Sequence, residues 1–112
     1  SAKPAAMGPL NEDRVLNQLK GCFDPEIPVN IVDLGLVYDV QITRLAEAAH
    51  RVEVKMTLTA PGCGMGPVIA KDVEEKLLQL PGVTEAIAHL VWDPPWSREM
   101  MSEAARLELG LM

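Results

Sequence analysis

One cysteine in this chain is placed where a thiol can do chemistry. The stretch Thr57–Pro67 (TLTAPGCGMGP) joins an alternating β-pattern to a helical one, with Cys63 inside three glycines and two prolines. Glycine permits positive φ and close backbone approach, and proline locks φ, so the turn has a largely fixed path. A thiol at a strand's end, just ahead of a helix N-terminus, meets unpaired amide N–H groups and the positive end of the helix dipole. Both favour thiolate over thiol. As a nucleophile, Cys63 would need a base or cation to lower its pKa from about 8.5. Neither histidine, His50 or His89, is linked to it in sequence. As a ligand it is one soft donor, whereas structural zinc and iron–sulfur clusters take four. The remaining ligands would come from Asp24, Glu26 or a histidine, from a second protomer, or from a client protein. Ligand counting therefore favours a labile or transfer site over a permanent one.

The other cysteine, Cys22, falls on the apolar face of a helical pattern and reads as a buried core thiol. Asp24 and Glu26 lie in Asp24-Pro25-Glu26-Ile27-Pro28, where two prolines stop that helix. By spacing alone these carboxylates sit on a stiff surface loop and serve helix termination and solubility. If close to Cys63, they would raise its pKa rather than activate it.

The elements that must position these residues follow in order. Asn11 caps a first helix with Glu12 and Asp13 in its opening turn, and Val15, Leu19 and Cys22/Phe23 form its apolar stripe. Asn30–Gly35 reads as a helical turn with Gly35 as its left-handed exit. Leu36–Thr43 alternates as a half-buried strand, and 44–50 reads as a hairpin loop, with a short extension of either strand open. In the second strand Val52, Val54, Met56 and Leu58 face the core; Arg51, Glu53, Lys55, Thr57 and Thr59 face the open side. A helix begins near Gly66-Pro67, buries Ile69, Val73, Leu77 and Leu80, and leaves Lys71, Asp72, Glu74, Glu75 and Lys76 solvated. A third strand, Val83–Trp92, puts Ala86, Ala88, Leu90 and Trp92 inward and Ile87, His89 and Val91 on an apolar outer face. Asp93-Pro94-Pro95-Trp96 breaks the sheet and reads as a structural anchor. Ser97 and Ser102 then cap short helical turns in an apolar tail.

The order α-β-β-α-β-α predicts a single two-layer α+β domain: a three-stranded mixed sheet with helices packed on one face, and the last strand parallel to the second through a crossover. Residues 1–10 are unpatterned and read as a disordered or vector-derived N-terminus, with Met7 a candidate native start, leaving 11–112 as the domain. The chain has 112 residues, 48% hydrophobic, and a net charge of −6 with no basic cluster, which argues against a nucleic-acid partner. Its apolar runs are too short to span a bilayer, and cysteine usage fits a reducing, cytoplasmic setting.

Three long motifs then carry a resemblance. Asp24–Tyr38 (DPEIPVNIVDLGLVY), Met56–Cys63 (MTLTAPGC) and Val91–Trp96 (VWDPPW) followed by Met100–Arg106 (MMSEAAR) resemble, in order, those of a family of small metal–sulfur cluster assembly proteins. The family includes SufT and the PaaD protein of phenylacetate degradation; the turn around Cys63 looks most like the SufT branch. The resemblance spans residues 11–112. It implies an α+β fold, a cytoplasmic accessory role in iron–sulfur maturation in a SUF-type pathway rather than an enzyme's, and self-association as a homodimer. The family's proposed site maps onto Asp24, Glu26, Thr59 and Cys63, with Thr57, Gly62 and Gly64 in support. Ala60 stands where many relatives carry a second threonine.

Three readings follow. In the first, Cys63 transiently holds iron or an iron–sulfur cluster, or touches a client's thiols, with no stably bound cofactor. Its partners are then the assembly machinery and apo iron–sulfur clients, with no nucleic acid and no membrane. The second is an adaptor without metal, resting on the apolar tail and the outer face of strand three. The third is a thiol enzyme.

Overall fold

A computed structural model describes residues 10–24, 27–59 and 64–110. The elements run α1 (Glu12–Leu19), β1 (Val37–Ala46), β2 (Ala49–Met56), α2 (Gly66–Leu78), β3 (Val83–Leu90), a 3-10 turn (Arg98–Met100) and α3 (Glu103–Glu108). The sheet order is β1-β2-β3, with β1 antiparallel and β3 parallel to β2. The expected mixed three-stranded α+β architecture is what the chain adopts.

β2 is central, and its alternation decides where the core lies. Val52, Val54 and Met56 are fully buried, in one cluster with Val15 and Leu19 of α1 and Ile69, Val73 and Leu77 of α2. Both helices thus cover the same face. Each such side chain contributes roughly 1.5–3 kcal/mol by leaving water, enough for a small domain to hold two short helices whose own propensity would not. The other face is wet. Arg51 meets Glu85 at 3.0 Å and His89 meets Glu53 at 3.1 Å. Being exposed, these pairs contribute little to stability. Of the apolar outer face expected for β3, Ile87 is half-buried, His89 is exposed, and the half-buried Val91 falls just beyond the strand's end.

Several expectations need correction. Both hairpin strands extend to a two-residue turn, because residues 44–46 and 49–50 still pair across the ladder. Trp92 is 42% exposed, since β3 ends two residues earlier and the chain turns away. Phe23 points outward, as α1 stops at Leu19 and its helical spacing no longer applies. The charged face of α2 is not simply solvated. Glu74 Oε2 accepts from the amide of Ala88 at 2.9 Å, satisfying a donor of the edge strand β3. The Lys76 carbonyl accepts from Gln18 Nε2, and Asp72 lies close enough to the buried Cys22 thiol to raise its pKa.

The turn between the Asp24 loop and β1 is a Schellman motif: the Leu36 amide donates to the Ile31 carbonyl and Gly35 to Val32, with Gly35 at φ 81°. Asn30 closes its front, accepting from the Asp33 amide and donating to the Asp33 carboxylate. The C-terminal segment is fastened to this turn. Trp96 Nε1 donates to the Leu34 carbonyl at 2.6 Å, and the Ser102 amide and hydroxyl donate to Asp33 at 2.7 and 3.1 Å. Tyr38 donates to the Pro94 carbonyl at 2.8 Å, its phenol pKa raised by burial and by Asp93. Met101 and Ala105 join the core; Leu107 stays exposed.

Gly35→Ala should therefore be costly. A Cβ would collide with the Met100 carbonyl, and φ 81° is strained for any L side chain. Urea unfolding should show a loss of at least about 2 kcal/mol, and hydrogen exchange should show early opening of residues 96–109.

Candidate functional site

The two stretches singled out in the sequence, the Asp24 loop and the end of β2, meet. Cys22 and Ile31 are bridged by a 2.9 Å backbone hydrogen bond, and Phe23 pairs with Asn30, so the two flanks of the Asp24 loop are held together. Asp24 begins it. Its carboxylate accepts from the Ile27 amide at 3.3 Å, across the loop, and from Thr59 beyond β2: the Thr59 hydroxyl at 3.2 Å to either oxygen, and the Thr59 amide at 3.4 Å.

Asp24 is consequently 5% exposed, not on the surface where spacing put it. A carboxylate is buried at such a position only when hydrogen bonds replace its water, and Thr59 supplies them from a residue 35 positions away. Thr57 also departs from expectation. The parity of β2 assigned its hydroxyl to the open face, yet the residue is 1% exposed. At this point the strand's end is flanked by chain on both sides: the Thr57 amide donates to Leu36, and the Val91 amide donates to the Met56 carbonyl. Thr59 keeps its predicted side and is half-buried against Asp24.

Cys63, Glu26 and Gly62 lie outside the described residues; in the chain Cys63 is four residues beyond Thr59, and Glu26 two beyond Asp24. Gly64 is exposed, in the turn leading to α2, with nothing near enough to touch an added Cβ. The helix begins at Gly66 with Pro67 beside it, as expected. Of Asp93, Pro94, Pro95 and Trp96, Trp96 is bonded to the Schellman turn at Leu34 and the Pro94 carbonyl to Tyr38 of β1. Among the described residues no three His, Cys, Asp or Glu side chains gather as a cation cage. His89 is taken by Glu53, and His50 Nδ1 lies 3.1 Å from the Gly82 carbonyl. The burial of Asp24 had no signature in the local spacing; the Thr59 partnership required the fold.

This geometry belongs to a recognisable group of proteins. Residues 12–87 match the family described as iron–sulfur cluster assembly protein. The chain belongs to that family. It is 39% identical over 100 residues to the Fe-S protein maturation auxiliary factor YitW of Bacillus subtilis, covering 89% of this chain and 94% of the relative. It is 41% identical over 89 residues to the Fe-S protein maturation auxiliary factor SufT of Staphylococcus aureus, covering 80% and 97%. The crystal structure of a domain of unknown function, DUF59, from Bacillus anthracis superposes with a TM-score of 0.78 at 40% identity, covering 90% of this chain and 92% of that one. The resemblance read from the three motifs, including its SufT-like character, is borne out. The matched family region ends before Trp92, so the C-terminal clamp on the Schellman turn lies outside it.

Cys22 is the thiol whose chemistry the structure describes. Burial pushes it up to about 12, the nearby Asp72 adds to the rise, and Lys76 opposes it. It is a protonated, inert thiol at neutral pH. In a Cys63→Ser background, iodoacetamide at pH 8 should leave Cys22 unlabelled until denaturant is added. The thiol is uncharged in both folded and unfolded chains below its ordinary value of about 9. Between about 9 and 12 only the unfolded chain ionises, so this contribution to stability should be present below pH 9 and lost as pH rises through that window. For the Asp24 cluster, Thr59→Val should cost about 1–3 kcal/mol in urea unfolding, because a buried carboxylate loses a hydroxyl donor.

Proposed function

We infer that this chain is an accessory factor in the assembly of iron–sulfur clusters. In this reading Cys63 makes a transient contact with iron, with a cluster, or with the thiols of an apo client, and Asp24 and Glu26 act from the neighbouring loop. The observation that carries the proposal is the Asp24–Thr59 contact. It ties the loop bearing both carboxylates to the strand end from which the chain runs to Cys63. A carboxylate–hydroxyl pair alone is a common structural device. Joined to the only segment that supplies a sequence-predicted thiolate, and set in a family described by iron–sulfur assembly, it becomes the natural frame for a cargo contact.

The donor chemistry supports cargo rather than a resident cofactor. One thiolate and a carboxylate leave a cluster's iron short of ligands, so the remainder would come from a client or a second copy. Iron or a cluster is then substrate, passed on by ligand exchange. The protein's part in this reading is to keep the Asp24 carboxylate oriented by Thr59 and the Ile27 amide, with the thiol of Cys63 supplied by the segment that follows Thr59 in sequence. The names of similar proteins, maturation auxiliary factors, support a role that is not catalytic turnover. We assign it to the cytoplasm and to a SUF-type pathway, self-associating as a homodimer, with assembly components and apo clients as partners. No helix among the described residues is long and apolar enough to cross a membrane.

Depleting the gene and assaying an iron–sulfur enzyme such as aconitase tests the proposal. Wild-type rescue should restore activity, while Cys63→Ser and Asp24→Ala, expressed at equal levels, should restore less than about a tenth of it. Full rescue by Cys63→Ser would remove the thiolate role and leave a docking adaptor as the surviving function.

A further inference from the structure

The sheet has two edges, and the fold treats them differently. At β3 the Ala88 amide is taken by Glu74 Oε2, which closes that edge to another strand. β1 carries no such cover. The direction of its backbone groups follows from β2. There the His50 amide donates to Gly82 and the Met56 carbonyl accepts from Val91, both on the β3 side, while the Thr57 amide donates to Leu36, ahead of β1. Backbone groups alternate along a strand, so Arg51, Glu53 and Lys55 turn theirs to β1, where Thr43, Gln41 and Asp39 are their ladder partners. The N–H and C=O groups of Val40, Ile42 and Arg44 therefore point away from β2. Among the described residues nothing takes them up. Register shifts at Val37/Asp39 and Arg44/Ala46 bound this open run. Val40 and Ile42 pack on the core yet stay half-buried, and Leu45 is 40% exposed.

We propose that β1 is the surface on which a second copy of this chain docks, the two β1 strands pairing antiparallel about a two-fold axis through Ile42. This rests on the self-association assigned above and names its surface. Ile42 is the middle of the open run. A two-fold there sets Ile42 against Ile42 and Val40 against Arg44, each pair exchanging N–H and C=O. Gln41 falls opposite Thr43 on the other face, so no like charges oppose one another. Leu45 of each copy arrives at the Tyr38 end of the other, where Gly35, Val37, Tyr38, Pro94 and Met100 line an open apolar hollow. An exposed leucine and a hollow at opposite ends of one edge are the self-complement that a two-fold contact requires. Because Glu74 closes β3, β1 of one copy cannot add to β3 of the next, and the assembly stops at a dimer instead of growing into a filament. The helices of both copies lie on the same side of the joined sheet, and Val40 and Ile42 move from its margin to its interior. The chain's net charge of −6 opposes association from a distance, but the run itself is balanced by Asp39 and Arg44, and salt screens the rest.

Sedimentation equilibrium of the full chain at physiological salt should show a monomer–dimer equilibrium with a dissociation constant on the order of micromolar. Arg44→Pro deletes an outward N–H and spares the bonds to β2. It should keep the wild-type circular dichroism and raise the dissociation constant at least about tenfold. Register is read by disulfide trapping in a Cys63→Ser background, where the remaining Cys22 is buried. Gln41→Cys mixed with Thr43→Cys should crosslink under mild oxidant, because opposed residues of this non-hydrogen-bonded kind lie about 4.5 Å apart at Cα. Neither variant alone should crosslink, since like positions then sit beyond the roughly 7 Å limit for a disulfide. A chain that is monomeric at every concentration would overturn both the self-association and this surface, leaving the edge to a strand of another protein. A dimer that a folded Arg44→Pro leaves as tight as wild type, or that traps through either single variant in preference to the mixture, would overturn the β1 surface alone. Should Arg44→Pro fail to fold, the trapping decides: no crosslink in the mixture overturns the surface.

Discussion

The left-handed turn at Gly35 is the constraint on which most of this structure depends. A single residue at φ 81° lets the chain leave the Asn30–Leu34 turn and enter β1 directly. The same residue lets the C-terminal segment come down onto the turn, because only a hydrogen occupies the space a Cβ would take from Met100. Three things are fixed at once. The Asp24 loop is held upstream by the Cys22–Ile31 hydrogen bond, β1 starts in register against Met56, and Trp96 and Ser102 find their carbonyl and carboxylate acceptors. Opening the turn would release all three.

That arrangement separates scaffold from chemistry. Burial on the helix-covered face of β2 supplies the stability, and the polar groups there are few. At the end of β2 the balance changes. Asp24 and Thr57 are the polar or charged side chains buried among the described residues, and they sit on, or within two residues of, one hydrogen-bonded contact. Buried polar groups are costly, so their concentration at one end of one strand marks the place where a stable fold alone would have used apolar residues. The Cys22 thiol makes the contrast plain. It too is buried with a carboxylate nearby, yet desolvation drives it to a protonated, unreactive state within the core.

The sequence by itself determined the elements and their order. Asn11 capping α1, Pro67 opening α2, Ser102 capping α3, and the alternation of β2 are local chemistry, and local chemistry is legible in a linear string. The family was legible too, because its motifs are long and contiguous. What only the tertiary structure decided is which polar residues are buried, and against what. Asp24 read as a solvated loop residue because the donor that makes its burial affordable, Thr59, is 35 positions distant. Thr57 read as exposed because parity gives a side but not what covers it. Glu74 read as surface charge because its partner is the edge amide of β3. In each case the deciding term is desolvation balanced by a long-range hydrogen bond. Such a balance depends on the packing of segments distant in the chain, which neither periodicity nor spacing records.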